Sequence, residues 1–456
     1  MFPIEPKYHP RFMESIGLLI LLISLISYFI IGLGTVPHIP ILLAIFILIA
    51  YGNVRKITYA DLEAALVSGA RSGLGAVFLF FLIGILISSW MISGTIPALI
   101  TAGFSFIGST WFYAIVFAIT SIIGVSLGTS LTTTATVGVA FIGMASALDM
   151  SLAITAGAIV SGAFFGDKMS PLSDTTNLAS AIVGVDLFAH IKYISLTTIP
   201  AFIISFILFA ILSPDAAVSN GDLRNYQEAL HGTGLIHIAS WIPLIILMIC
   251  TIYKVPALVA LAITSIIASI IANIFNGISW TDIWGIWFNG YVSQTGYAPV
   301  DELLTRGGIN SMLFTISLVL LTLAFGGLLF VTGLIPSILM ALQQKLKKLR
   351  SVVISTAVTA IGVNVFIGEQ YLSILLTGET YKSIYQQMGI PKKVLSRTVE
   401  DAGTVINPLV PWSVCGVFIA DVLQVSVIEY LPFAFFCLLS PIITVIFNGR
   451  NTQKLS

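Results

Sequence analysis

Charge is scarce in this sequence. Asp, Glu, Lys and Arg supply 9% of its residues and apolar types 57%, whereas an ordinary soluble domain is roughly a quarter charged. Water therefore cannot be the solvent for most of the surface, and an integral membrane protein is expected. Basic and acidic side chains balance at 20 each, which leaves no basic face for nucleic acid and no acidic tail. Cysteine is nearly absent too. Cys250, Cys415 and Cys437 stand alone in apolar runs, giving neither a disulfide framework nor metal-ligand spacing, and they read as inert buried thiols. The five histidines, at 9, 38, 190, 231 and 237, lie in tails or at span ends. No small-residue cleavage site follows the first apolar run, and more runs come after it, so no cleaved leader is expected.

What the chain does have is long apolar runs. Residues 15 to 54 contain no charged side chain, and Pro37 and Pro40 divide them into two segments near the length a bilayer core demands. Similar runs predict spans near 16–33, 37–51, 74–93, 190–212, 236–252, 255–275, 309–333 and 427–447. Two regions, 151–186 and 396–425, are long enough to cross but carry polar residues and a proline at their centres. Two more, 111–147 and 351–381, read as helical hairpins with the tips GVSLGTSLTTT and GVNVFIGEQ.

These features recur in order. GTIPALI at 94–100 matches GLIPSIL at 333–339, SPL at 170–172 matches NPL at 407–409, and Tyr193 matches Tyr430. A steady offset over a hundred residues predicts an internal duplication. The loop after the first GTIP is uncharged, whereas the matching loop carries Lys345, Lys347, Lys348 and Arg350, so the positive-inside rule makes the copies inverted. Arg55, Lys56, Arg71, Lys192, Lys254, Lys392, Lys393 and the tail with Arg450 and Lys454 then all fall inside, as do both termini. The expected fold is an all-α membrane protein of about ten transmembrane helices, two re-entrant hairpins and two broken helices. Residues 1–213 form the first repeat, 214–235 a connecting loop and 236–456 the second repeat. This is the build of an alternating-access secondary transporter, which two oppositely facing copies serve better than they serve a continuous pore.

The breaks carry the chemistry. Pro171 cannot donate to the carbonyl of Asp167, nor Pro408 to that of Thr404, and in lipid a freed carbonyl survives only against a cavity or an ion. Oxygens crowd both places. The first has Asp167, Ser170, Ser173, Asp174, Thr175, Thr176 and Asn177, and the second has Glu400, Asp401, Thr404, Asn407 and Ser413. Glu369 sits on a hairpin tip with no nearby base. Hard oxygen donors with one or two carboxylates suit Na⁺, Li⁺ or H⁺. Burial disfavours an ionised carboxylate and a bound cation favours it, so the two ligands compete for one group, which is exchange in its simplest form. Bland readings stand beside these. Asp167 would pair with Lys168 or cap a half-helix, Asp174 and Asn177 would cap the next one, Glu400 and Asp401 would open a solvated helix beside Arg397, and the Thr132 to Thr134 run would pack helices. GxSxG at Gly124, Ser126 and Gly128 matches the hydrolase elbow, but that motif needs a strand-to-helix turn, and here it lies between apolar helices, so an enzyme is not expected.

With SGAFFGDKMSPLSDTTNLA (161–179) and EDAGTVINPLVPWSVCG (400–416) in view, the chain resembles the NhaC family of Na⁺/H⁺ antiporters, within the ion-transporter superfamily. The resemblance spans essentially the whole chain. It implies cation/proton antiport across the cytoplasmic membrane, and a homodimer with a scaffold domain and a transport domain that moves like an elevator. No cofactor is implied beyond the transported Na⁺ and H⁺. Asp167, Ser170, Asp174, Thr175 and Asn177 carry over from the first motif, and Asp401, Thr404, Asn407 and Ser413 from the second. Asp167 and Asp401 lead as Na⁺ ligands, Glu369 stands as a further candidate, and Lys168 is a possible counter-ion. Members resembling malate/lactate and amino-acid carriers leave an organic substrate coupled to Na⁺ and H⁺ as the alternative.

Overall fold

The computed structural model describes residues 4–106, 111–214, 220–343 and 348–447. Lys345, Lys347, Arg450 and Lys454, used above for orientation, lie outside the described residues. The described chain is helical, and its one β-feature is an isolated bridge between Tyr291 and Arg306. Its first half runs through α1 (Phe12–Ser27), α2 (His38–Val54), α3 (Tyr59–Ser72), α4 (Leu74–Ile92), α5 (Thr95–Phe106), α6 (Phe112–Leu127), α7 (Ser130–Thr133), α8 (Val139–Ala147), α9 (Leu152–Met169), α10 (Asp174–Val183) and α11 (Leu187–Leu212). After α12 (Asn220–Gly232) come α13 (Ile242–Ile252), α14 (Ala257–Asn276), α15 (Trp280–Asn289), α16 (Ala298–Leu304), α17 (Ile309–Val331) and α18 (Leu334–Gln343). The second half closes with α19 (Leu349–Ile367), α20 (Gln370–Gln387), α21 (Lys392–Gly403), α22 (Val414–Leu423), α23 (Val427–Tyr430) and α24 (Phe435–Phe447). Among the described residues eight helices are long and apolar enough to cross a bilayer, or up to ten if each of two bent pairs counts as one crossing.

Several elements differ from expectation. The segment 214–235 holds α12, which is too polar to register as a hydrophobic run. Short α3 and α15 are amphipathic rather than apolar throughout, so a search for long runs passes over them. The run at 427–447 bends by 55° between Val427–Phe433 and Phe435–Phe447, because Leu431–Phe433 tightens into a 3-10 turn containing Pro432. Outside the spans, hydrogen bonds from the Thr295 amide and the Ser293 and Thr295 hydroxyls hold Asp301 below the usual carboxylate range and pin the loop ahead of α17.

The two halves pack reciprocally. Helix α4 lies on α14 and α15 as α17 lies on α2 and α3. Helices α4 and α17 themselves run antiparallel, with Gly73 against Leu323 at one end and Gly84 against Gly308 and Met312 at the other. Corresponding turns are built alike. Gly94 (φ 75°) and Gly333 (φ 75°) both follow a long helix, and a Cβ on either would lie 1.9 Å from a carbonyl oxygen, Leu235 in one case and Tyr8 in the other. Only glycine fits such a turn. Gly333→Ala is expected to cost about 2 kcal/mol or more, from left-handed strain and the lost seat for Tyr8. An unchanged thermal unfolding midpoint in detergent would refute this.

A second group of helices builds the site. Helix α9 packs along α6 so closely that a Cβ on Gly166 would lie 2.4 Å from the Gly124 Cα. Helix α21 is wrapped by α10, α11, α19, α20 and α24. This burial places a helix rich in charge inside the protein.

Candidate ion site

Four helix starts are built from the same parts. Gly128 (φ 71°) and Gly368 (φ 72°) end α6 and α19 in the left-handed region, and Thr129 and Glu369 then cap α7 and α20. At the breaks Ser173 caps α10 and Ser413 caps α22. Each side-chain oxygen takes a first-turn amide: Thr132 N donates to Thr129 at 3.1 Å and Leu372 N to Glu369 Oε2 at 2.7 Å. Likewise Thr176 N donates to Ser173 at 3.3 Å and Gly416 N to Ser413 at 3.0 Å.

All four starts meet a cavity of about 440 Å³, lined by Thr129, Ser130, Asp174, Thr175, Glu369 and Val414 together with Asp167. No lysine, arginine or histidine among the described residues lines it. Asp167 is buried, and its carboxylate is fixed from both sides: Ser130 donates to Oδ2 through its hydroxyl (2.8 Å) and its amide (3.3 Å), and the Ser173 hydroxyl donates to Oδ1 (2.5 Å). Asp174 is exposed on the cavity wall, and Glu369 is buried at the tip of its hairpin. An adjoining cavity of about 490 Å³ is lined by Asp174, Asn177 and Lys254.

The structure thus brings Asp167, Asp174, Thr175 and Glu369 together and places the other expected residues elsewhere. Ser170, Asn177, Asn407 and Ser413 brace the breaks. Ser170 Oγ takes the Leu172 amide at 3.2 Å, and Asn177 donates to Pro171 O (3.0 Å) and Ser173 O (2.7 Å). Asn407 donates to Asn364 (2.9 Å), and the Ser413 hydroxyl donates to Asn407 O (2.5 Å). The Asp167 carbonyl freed by Pro171 accepts from Ser170 N at 3.3 Å, so the break tightens into a turn.

Asp401 does not line that cavity. It forms a fully buried ion pair with Lys168, while Thr197 donates to its other oxygen at 2.8 Å and Ser440 accepts from Lys168 at 2.8 Å. Lys168 therefore belongs to Asp401 and not to its neighbour Asp167, because adjacent residues on a helix point in different directions. Thr404 donates at 3.1 Å to Glu400, a fully buried carboxylate, so the bland reading of a solvated helix start does not hold for it. Sequence reading also passed over Ser130, Thr197, Ser440 and Asn364. Only Ser130 and Asn364, in the quoted hairpin tips, left a signal. Ser126 lies on α6 with an exposed hydroxyl donating to Ile122 O at 3.0 Å, the ordinary habit of a helical serine and not a nucleophile elbow. Among the described residues no group of three or more His, Cys, Asp or Glu is placed to hold a metal ion.

Broken helices and hairpins meeting at a cavity that carries three carboxylates, in a multi-pass helical chain, define a secondary membrane transporter. The comparisons narrow the class. Residues 162–448 match the model of the Na⁺/H⁺ antiporter family. The chain is 41% identical over 440 residues to the Na⁺/H⁺ antiporter NhaC of Alkalihalophilus pseudofirmus, covering 95% of each chain. It is 37% identical over 439 residues to NhaC of Bacillus subtilis, covering 95% of this chain and 96% of that one. It is also 34% identical over 427 residues to the malate-2H⁺/Na⁺-lactate antiporter of Bacillus subtilis, covering 93% and 91%. The chain belongs to the Na⁺/H⁺ antiporter family.

Proposed function

We propose that this protein exchanges Na⁺ for H⁺ by alternating access, with Asp167 as the carboxylate for which the two ions compete. Asp174 and Glu369 complete the charge of the site, and the Ser130, Ser173 and Thr175 hydroxyls complete its oxygen shell. The observation that carries the reading is the set of carboxylates on the cavity wall. Asp167, Asp174 and Glu369 face one space, with no basic side chain among its described lining residues. An ionised Asp167 there is neutralised by one monovalent cation or one proton. An uncompensated charge in this setting is costly to move across the bilayer, so the site travels loaded.

The antiparallel run of α4 and α17 supports reading 1–213 and 236–456 as inverted repeats around this site, joined by 214–235. The packing of α2, α3, α4, α14, α15 and α17 apart from α6, α9, α10, α11, α20 and α21 fits a scaffold and a moving body. A homodimer in the cytoplasmic membrane with both termini cytoplasmic extends that reading. Lys7, paired with Asp61 at 3.3 Å, and Arg55, paired with Glu14 and lying over the Tyr8 ring, sit on the side that the positive-inside rule would make cytoplasmic.

Among the described residues no basic side chain lines the Asp167 cavity, and the one basic residue lining the adjoining cavity is Lys254, so the surroundings of Asp167 favour a bare cation over an organic acid. In proteoliposomes, an imposed Na⁺ gradient is expected to drive proton movement at full rate with no organic solute present. Strict dependence on malate, lactate or an amino acid would displace Na⁺/H⁺ exchange in favour of a coupled organic substrate.

A further inference from the structure

Behind the cavity wall lies a second cluster of oxygens that the exchange site proposed above does not use. Glu400 is fully buried on α21. Its Oε1 has three threonine hydroxyls around it, Thr404 at 3.1 Å, Thr175 at 3.3 Å and Thr176 at 3.5 Å, while its Oε2 is buried with no partner. The Thr176 hydroxyl also faces the backbone carbonyls of Lys168 at 3.2 Å and Asp167 at 3.5 Å, in the stretch loosened by Pro171.

As hydrogen bonds these contacts are poor. A hydroxyl has one proton to give, and Thr176 faces three acceptors. Hydroxyl bonds also settle near 2.7–2.8 Å, well inside every spacing here. As a coordination shell the spacings are apt. Oxygens held about 2.4 Å from a hard cation lie about 3.4 Å from their neighbours in an octahedral arrangement. A buried carboxylate oxygen without a partner costs free energy unless something neutralises it, and here a cation would.

We infer that Glu400, the hydroxyls of Thr175, Thr176 and Thr404, and the carbonyls of Asp167 and Lys168 form a second, inner site for a monovalent alkali cation such as Na⁺. Its neutral oxygens and single carboxylate suit a hard, singly charged ion. The nearby Lys168 does not preclude it, because that charge is cancelled by Asp401. Arg397, one turn back on α21, is a fully buried cation whose guanidinium nitrogens have no hydrogen-bond partner among the described residues; it lies over the rings of Tyr193 and Phe447 and forms no ion pair with Glu400, and His190 of α11 bonds Ser396. Thr175 links the two sites: it lines the cavity, and its hydroxyl lies 3.0 Å from Ser173 Oγ, which in turn holds Asp167. An ion leaving Asp167 thus has an oxygen path inward.

This inference rests on the cavity being the place where Na⁺ arrives, and its test separates the two readings. Equilibrium binding of radiolabelled Na⁺ is measured on purified full-length protein in detergent. Glu400→Gln is expected to bind one Na⁺ per chain fewer than the wild type. Thr176→Val, isosteric but without the hydroxyl, is expected to lose the same ion, and Thr176→Ser to keep it. Wild-type Na⁺ stoichiometry in Glu400→Gln, or in Thr176→Val if the first variant is not recovered folded, would overturn the inner site. Asp167→Asn reports on the cavity alone. If it keeps every bound Na⁺ while Glu400→Gln loses one, the inner site stands and the role given to Asp167 fails.

Discussion

Asp167→Asn, reconstituted at wild-type density, is expected to lower Na⁺-driven proton movement by on the order of a hundredfold or more. The substitution keeps the side-chain volume, so the effect is one of charge. At an effective dielectric near 20, a unit charge about 4 Å from a cation contributes roughly 4 kcal/mol, close to a thousandfold in affinity. Removing Asp167 also takes away the cavity carboxylate that is held from both sides by Ser130 and Ser173. The proton loses its place at the same time, since an amide does not titrate in this range. Asp174 makes the contrast. It is exposed on the cavity wall, where solvent screens its field, and Asp174→Asn is expected to cost about tenfold or less. Fluxes of Na⁺ and H⁺ from the same vesicles decide the matter, and full exchange by Asp167→Asn would sink the assignment.

Much of this arrangement was legible in the sequence, for a physical reason. Lipid tolerates a broken helix only where something polar replaces the lost backbone partners, so Pro171 and Pro408 amid hydroxyl side chains announce a site without help from tertiary structure. Glu369 stood out because an acid at an apolar hairpin tip has no nearby base, and the structure gives it a local partner in the Leu372 amide. The structure adds that it caps α20. Pairing was not legible. Lys168 follows Asp167 in the chain, yet its partner lies 233 residues away, and no local pattern encodes a contact between α9 and α21. For Glu400 only the bland reading failed, and for a related reason. Beside Arg397 it reads as part of a solvated helix start, but five other helices cover α21, and burial by distant elements leaves no trace in the local composition. Short α3, α12 and α15 escaped because a search tuned to bilayer length discards polar and amphipathic helices.

The Lys168–Asp401 pair gives the largest expected effect on stability. Both side chains are fully buried, so breaking the pair strands a charge where neither water nor salt reaches it. Lys168→Met alone leaves the Asp401 carboxylate with only the Thr197 and Ser440 hydroxyls, and Asp401→Leu alone leaves the ammonium with Ser440. Each single change is expected to destabilise by about 3–5 kcal/mol. The double replacement should recover most of that loss, because two apolar side chains of similar size carry no desolvation penalty. A deficit of about 1–3 kcal/mol should persist from hydroxyls left without partners. Thermal unfolding in detergent of the wild type, both singles and the double closes the cycle. The pair also joins the two broken helices, Lys168 beside the first break and Asp401 ahead of the second. If the two breaks must move as one body, the double variant will fold well and yet exchange slowly. Single variants that unfold at the wild-type temperature would show that the pair is dispensable to the fold, and a double variant with wild-type exchange would show that joining the breaks is no part of transport.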